Sequence, residues 1–407
     1  MDLLITGGRL IDPANSRDGI FDVWVKNGKI AAVGKSLRSP QGAEIISAEG
    51  KWVMPGLVDV HVHLREPGGE KSETIETGTR SAAAGGVTTV FAMANTKPPI
   101  DTPKKVRWVL KRTKETAVVR VCPVGAVTKG LEGRELTDIP GLVRAGCAAI
   151  SDDGREIMDS GLFRKALIQA KAAGVPLIDH CEDENLSKDD IPLESEAIMV
   201  ARAIYLARLT GARIHLAHMS TQDSVDLVRR AKKRKIAVTA ETCPHYICLT
   251  KDAIQRHGTY AKMKPPLRSR KDVEALQEGL ADGTIDTIST DHAPHDRASK
   301  RRKFPNAPFG IIGLETSFSI VYEELIKKKI LSPMEAVRKM TQNPAENFGL
   351  DCGTLSRGAL ADIAIFDPSL EWTANRFDSK SVNSPFIGRK FRGKMVCTVV
   401  GGRIIKR

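Results

Sequence analysis

Between about residue 53 and residue 345, short apolar and β-branched runs alternate with amphipathic segments. The runs are Leu57–His61, Val87–Met93, Ala117–Pro123, Cys147–Ser151, Val175–Asp179, Arg213–Ala217, Ile236–Ala240 and Asp286–Thr290, and their length and composition predict strands. The segments between them carry helix punctuation. Ser72 is placed to cap a helix that ends before Gly85-Gly86, Thr102-Pro103 opens another, and Ser160 caps one that ends at Gly174. Ser195 to Thr210 stops at Gly211, Ser269 to Asp282 stops at Gly283, and Ser332-Pro333 opens a late helix. Eight such strands alternating with helices predict a (β/α)8 barrel of the TIM type over residues 53–352, rather than an open doubly wound sheet. No G-x-G-x-x-G follows a strand and no phosphate-binding G-x-x-x-x-G-K-[ST] occurs, so a nucleotide cofactor has no support.

The two ends have a different texture. Residues 1–52 hold short alternating strands with turns, such as Leu3–Thr6, Phe21–Lys26 and Ile30–Val33. Residues 353–407 resume that style with Asp362–Phe366 and Met395–Val400. Both ends are expected to join into one small β domain beside the barrel, with two independent β extensions as the alternative.

Composition narrows the class without changing this picture. A chain of 407 residues fits a large barrel with an appendage, and 41% hydrophobic with 27% charged residues is ordinary for a globular protein with a full core. No stretch is apolar enough to span a membrane. Met1-Asp2-Leu3-Leu4-Ile5-Thr6 lacks a basic lead-in and a long apolar run, so it reads as a first strand rather than a signal peptide. Seven scattered cysteines without a C-x-x-C pair point to reduced thiols in a cytoplasm. The net charge is +13, with basic runs at Lys232-Lys233-Arg234-Lys235 and Lys300-Arg301-Arg302-Lys303. The first ends a helix, the second lies in a loop, and only 5% of residues are aromatic. Both runs therefore read as solvated faces and not as a nucleic-acid surface.

The chemistry lies where the predicted strands end. In Val58-Asp59-Val60-His61-Val62-His63-Leu64-Arg65, alternate residues of a strand share a side, so His61, His63 and Arg65 are expected to project together. Two imidazoles suit a divalent metal, and a guanidinium suits a carboxylate held near it. His-x-His alone is a weak signal, since a half-buried strand can carry two satisfied histidines. The other strand ends strengthen it: Asn95 and Thr96 on the second, Asp152 and Asp153 on the fourth, His180 on the fifth, His218 on the sixth and Asp291 on the eighth. A barrel gathers such residues at one mouth. Four histidines and a carboxylate suffice for one or two divalent ions, with Asp291 left as a base beside an activated water. His215, three residues before His218, faces the other side and is expected to be structural. His245 is expected to order a loop, and His257 to lie on the surface.

These residues carry a family signature over essentially the whole chain. The segments are Asp59-Val-His-Val-His-Leu-Arg-Glu-Pro-Gly68, Asn95-Thr-Lys-Pro98, Asp152-Asp-Gly154, Asp179-His-Cys-Glu-Asp183, His215-Leu-Ala-His-Met-Ser220, Pro265-Pro-Leu-Arg268, Thr290-Asp-His-Ala-Pro-His295 and Ala307-Pro-Phe-Gly310 through Gly313-Leu-Glu-Thr316. The chain resembles the amidohydrolase superfamily and, within it, the dihydroorotases of the long bacterial type. The resemblance implies one or two zinc ions per subunit. His61 and His63 would bind the first, and His180 and His218 a second. Asp153 would take the place of the carboxylated lysine found in hydantoinases, allantoinases and some other dihydroorotases. Asp291 would be a metal ligand and the general acid/base, relaying a proton from a zinc-activated water to the leaving ring nitrogen. Arg65, Asn95 and His295 would grip a substrate carboxylate, and the backbone at Phe309 and Gly310 would contact the ring. It further implies a small-molecule substrate, a homo-oligomer and compatibility with an aspartate transcarbamoylase complex.

Lys264 departs from the pattern, since the family usually has Asn before Pro-Pro-Leu-Arg; a lysine there could hold a carboxylate as a point charge or point away. Ala94 stands where Pro is frequent, and the segment from Asp183 to Ser195 is short. The alternatives within the superfamily are a hydantoinase or dihydropyrimidinase and an allantoinase, against which the missing strand-four lysine and Arg65 both argue. The alternative of another class is a non-catalytic scaffold for aspartate transcarbamoylase. Such proteins typically lose metal ligands, and here every candidate ligand is present.

Overall fold

The computed structural model describes residues 2–39, 41–188 and 190–405. Two sheets of eight strands each organise them. The first is parallel and consists of β1 (Leu57–Val62), β2 (Val87–Ala92), β3 (Arg120–Gly125), β4 (Ala149–Ile150), β5 (Leu177–Asp179), β6 (Ile214–Leu216), β7 (Val238–Thr242) and β8 (Thr287–Ile288). Each strand pairs with the next. Just beyond β8, a parallel bridge from His292 to Val62 and the 2.9 Å bond from His63 N to His292 O return the ladder to β1. The sequence-predicted barrel is thus the observed one, with the first strand one residue longer than expected and the others shifted or trimmed by a few residues.

The barrel encloses an apolar cluster that includes Val58, Val60, Phe91, Met93, Val124, Ile178 and Phe348. A larger cluster fills the space between strands and helices, with Leu57, Val62, Val90, Val121, Ile214 and Leu216 facing Phe163, Ala203, Val228 and Leu276. Burial on both faces explains why the strands read as unbroken apolar runs rather than alternating ones.

Some helix starts differ from expectation. The first barrel helix, Ile75–Ala84, is capped by Thr74, whose side chain and that of Thr77 form a reciprocal box. Ser72 instead accepts from Asp296 N, tying two mouth loops together. Asp159, not Ser160, caps Ser160–Ala173. Thr102, Ser269 and Ser332 cap as expected.

The second sheet joins both chain ends. Leu3–Asp12 pairs antiparallel with Arg17–Lys26 and parallel with Glu44–Ser47 and Trp52–Pro55; Trp52–Pro55 in turn pairs antiparallel with Ile363–Thr373, which pairs with Lys390–Val400. Its core contains Leu3, Ile5, Val23, Val53, Ile363, Ile365 and Val399. The chain passes from this sheet into β1 through Gly56 alone. A Cβ there would fall 2.2 Å from Thr88 Oγ1, so the crossing requires glycine. Met1, Pro40, Lys406 and Arg407, which belong to the sequence-predicted end segments, lie outside the described residues.

Among the described residues no helix is long and apolar enough to cross a membrane, and the seven cysteines are unpaired. The two basic runs are not uniformly solvated. Lys232 pairs with Asp286 at 2.6 Å, and Lys300 is only 1% exposed.

Candidate active site

The mouth of the barrel gathers side chains from most of its strand ends. Val58 and Val60 already face the interior, so strict alternation would turn His61 away from it. The β1–β2 ladder shifts register between Asp59 and Val62, and this irregularity brings His61 back. His61 and His63 then stand with ring centres 5.5 Å apart. Arg65 reaches the mouth by a different route from the one its spacing suggests. The strand ends at Val62, and Arg65 has φ 60°, so a turn and not strand alternation aims it. His218 (φ 35°) and Asp291 (φ 46°) share this uncommon left-handed backbone, which in residues other than glycine concentrates at functional sites.

The polar atoms converge on Asp153 and Asp291. His61 Nε2 lies 3.2 Å from Asp153 Oδ1 and 3.7 Å from Asp291 Oδ1, and His63 Nε2 lies 3.0 Å from Asp291 Oδ1 and 3.4 Å from Asp153 Oδ2. His180 Nδ1 and His218 Nε2 are 2.8 Å apart and stand 3.5 and 3.6 Å from Asp153 Oδ1. Two sets, His61–His63–Asp291 and His61–Asp153–His218, bring one donor atom per residue within 4.8 Å of the others.

This donor set fits a divalent cation. His61 Nε2 and Asp153 Oδ1 are buried, close to each other, and without a hydrogen-bond partner. Burial would push the His61 imidazole down, but Asp153 and Glu241 drive it well above its ordinary value. Burial would likewise push Asp153 up, yet the three imidazoles around it hold it well below the carboxylate range. Against burial, the His63 contact and its neighbours keep Asp291 low as well. Two ionised carboxylates among imidazoles hold positive charge in place, as protons or as a metal ion. Cys181 and Cys243 are buried, and burial holds both thiols well above their ordinary value, so neither competes as a ligand.

An outer ring orients these donors, and sequence reasoning missed its principal member. Glu241, at the end of β7, is fully buried; its Oε1 lies 2.7 Å from His61 Nδ1, and its Oε2 lies 3.4 Å from His215 Nε2. His215 also bonds Thr239 Oγ1 at 2.8 Å, so it stays out of the cavity but braces Glu241 from behind. The signal available in the sequence was that Glu241-Thr242 falls at a strand end, as the candidate metal ligands do. Asn95 accepts from His63 Nδ1 at 2.9 Å and donates to Asp153 O and Oδ2 at 3.1 and 3.2 Å. Glu182 lies 3.4 Å from His180 Nε2 and 3.0 Å from Lys264 Nζ. Against the upward push of burial, these two partners bring its carboxyl down to about 2. Asp152 turns the other way, accepting from Val127 N, Thr128 N and Thr128 Oγ1 to order the loop after β3. His245 is buried against Tyr246, and His257 is exposed.

Beside the carboxylates, a cavity of about 350 Å³ is lined by His63, Arg65, Asn95, Lys264, His295 and Phe309, together with Asp153, His180, His218, Asp291 and Gly310. Every candidate substrate residue faces it. His295 Nε2 lies 2.7 Å from Phe309 O and 3.3 Å from Arg65 Nη2. A neutral ring nitrogen cannot both donate and accept, and the shorter contact to the carbonyl makes it the donor. Arg65 Nη2 then has no acceptor in His295, while its Nε donates to Pro294 O at 3.1 Å. Asn383, from the C-terminal segment, completes this end. Its Nδ2 donates to Ala293 O and Gly310 O, and its Oδ1 accepts from His295 N, each at 3.0 Å.

A barrel mouth in which clustered imidazoles and carboxylates line one cavity together with a guanidinium defines a metal-dependent hydrolase class. Comparison with known proteins agrees. The profile of the amidohydrolase family matches residues 52–405. The chain is 48% identical to a dihydroorotase of Endomicrobium trichonymphae over 100% of this chain and 99% of that protein. It is 47% identical to a dihydroorotase of Pelotomaculum thermopropionicum over 100% and 98%. Among solved structures, L-hydantoinase (dihydropyrimidinase) from Arthrobacter aurescens superposes with a TM-score of 0.92 at 28% identity, covering 100% of this chain and 96% of that one. Dihydropyrimidinase from Brevibacillus agri gives 0.88 at 25%, covering 100% and 95%. The chain belongs to the amidohydrolase family and, within it, to the dihydroorotases. The hydantoinase likeness is one of fold at much lower identity.

Proposed function

We propose that this chain is a working dihydroorotase, interconverting L-dihydroorotate and N-carbamoyl-L-aspartate, with zinc as its metal. The observation that carries the reading is the shared cavity: the cation-holding cluster and the Arg65 guanidinium line one space, as a small anionic ring bound at a metal would require. His61, His63, Asp153 and Asp291 would hold one ion, and His180 and His218 with Asp153 would hold a second. When bound, the metal supplies Lewis acidity towards water and the ring carbonyl.

The remaining work falls to side chains of this chain. Arg65 receives the substrate carboxylate in a two-point contact, which neutral cyclic amides cannot return. His295 lies beside Arg65 and keeps the ring from rotating, while Asn95, whose amide serves His63 and Asp153, borders the ring from the metal side. Phe309 and Gly310 form the wall against which the ring lies. Asp291, anionic at neutral pH, takes the proton of the attacking water and delivers it to the ring nitrogen as the amide C–N bond breaks. In the biosynthetic direction it removes that proton from nitrogen, and the ring closes with loss of water. Lys264 pairs with Glu182 at 3.0 Å at the edge of the same cavity, which leaves Arg65 as the principal partner of the substrate carboxylate. The hydantoinase alternative lacks support in the site, because Arg65 would face a substrate without an acid group.

The test is ring opening of L-dihydroorotate by zinc-loaded protein, beside dihydrouracil, hydantoin and allantoin. Turnover of dihydroorotate alone is expected. Turnover of a neutral ring would overturn the role of Arg65. Silence on all four substrates, with metal bound and aspartate transcarbamoylase added, would favour a scaffold.

A further inference from the structure

The run Lys300-Arg301-Arg302-Lys303 looks like a solvated face, yet the Lys300 side chain is buried. Its Nζ donates to Pro308 O and Gly310 O, each at 2.9 Å, and lies 3.5 Å from Lys262 O. Lys262 repeats the arrangement. Its Nζ donates to Phe304 O at 2.6 Å, Pro305 O at 3.0 Å and Ala307 O at 2.8 Å, and it sits 4.4 Å from the Phe309 ring centre. Among the described residues neither ammonium has a carboxylate partner.

An ammonium without a counter-ion is costly to bury unless its donors are met. Each of these has three N–H donors, no acceptor, and three carbonyl oxygens in reach. Five of those six oxygens belong to one short strap, residues 304–310. Another strap carbonyl, Phe309 O, accepts from His295, and Gly310 N donates back to Lys262 O at 2.9 Å. Carbonyls along one strap repel if turned to a common point, and a side chain with several N–H donors offsets that repulsion. The strap supplies Pro308, Phe309 and Gly310 to the cavity wall, while neither lysine reaches the cavity itself. Burial and the neighbouring Lys262 charge pull the Lys300 ammonium down to about 7.

We propose that Lys262 and Lys300 are positioning residues for the substrate: two internal ammonium ions whose carbonyl cages hold the 304–310 strap in the shape that receives the ring. The proposal rests on the dihydroorotase reading for its substrate, but the cages can be tested apart from it.

The variants are Lys300→Met and the milder Lys262→Gln, each metal-loaded. Ring opening of L-dihydroorotate should show KM raised by about tenfold or more, kcat changed by less than about threefold, and metal content unchanged. Hydrogen exchange at the Asn306, Ala307 and Gly310 amides should accelerate in the variants while the barrel strands keep wild-type rates. Unchanged KM and unchanged strap exchange in either folded variant would overturn the proposal, as would a fall in kcat and metal content at constant KM. If the wild type does not open dihydroorotate, the functional reading fails and the exchange result alone decides the cages. If neither variant folds, the wild type decides: open-loop exchange at those three amides would refute the cages, and protection would support them.

Discussion

Replacing Glu241 by glutamine tests whether the outer ring tunes the metal cluster. Glu241 is fully buried, and its two oxygens face His61 Nδ1 at 2.7 Å and His215 Nε2 at 3.4 Å. Its carboxyl is held far below the ordinary value, against burial, by those two imidazoles. Glutamine keeps the shape and one acceptor oxygen for His61, but removes the charge that makes the imidazole a stronger donor to a cation. Loss of an oriented partner of this kind typically weakens metal affinity by about 10–100-fold, or roughly 1.4–2.7 kcal/mol. Stability should change far less, by about 1 kcal/mol, because His215 Nε2 can accept from the new amide in its other tautomer. The more drastic Glu241→Ala strands two buried ring nitrogens and should cost about 2–5 kcal/mol in folding. The assay is competition for zinc against a chelating indicator, run beside urea denaturation of the same samples. Zinc affinity of the glutamine variant within about twofold of wild type, together with a large loss of stability, would show that Glu241 only fills space.

Asp291→Asn should leave the fold and Arg65-dependent inhibitor binding intact while reducing kcat by about 100-fold or more, measured by steady-state ring opening. Lys264→Asn should leave ring opening largely intact, since the ammonium pairs with Glu182 at 3.0 Å; complete loss of turnover would make the lysine essential to the substrate. Burial, with Arg65 close by, brings the His295 imidazole down to about 3, far below its unfolded value. The unfolded chain therefore binds the extra proton first, so the contribution of His295 is complete above about pH 6.5 and is lost as pH falls towards 3. Urea midpoints between pH 7 and pH 4 should fall more steeply for wild type than for His295→Asn, and parallel curves would contradict that assignment.

Much of this was legible in the chain because both sides of each barrel strand are buried. An unbroken run such as Val87–Met93 needs no partner to be recognised, and its polar successor marks the mouth. Site residues adjoining a strand end, such as His180 and Asp291, were found that way. What escaped depended on neighbours distant in sequence. Glu241 carries no local sign that His61 lies only two strands away around the barrel, 180 positions distant in sequence. Lys300 resembles the three basic residues that follow it, and only the strap folding over it makes it interior. Arg65 was placed at the mouth for the wrong reason, because strand alternation ends at Val62. Ser72 lost the helix start to Thr74, whose partner Thr77 completes a box that single-residue preference does not see.

The contacts of Asn383 fix an order in which the site can come into being. Every proposed metal ligand has left the ribosome once Asp291 has, so the metal end can assemble on a chain still being made. The anion end cannot, because His295 N, Ala293 O and Gly310 O all wait for a side chain near the C-terminus. A product truncated before residue 383 would keep the metal-holding residues yet lose the Asn383 contacts around His295 and Gly310, so this late segment acts as the latch of a site built mostly from the middle of the chain.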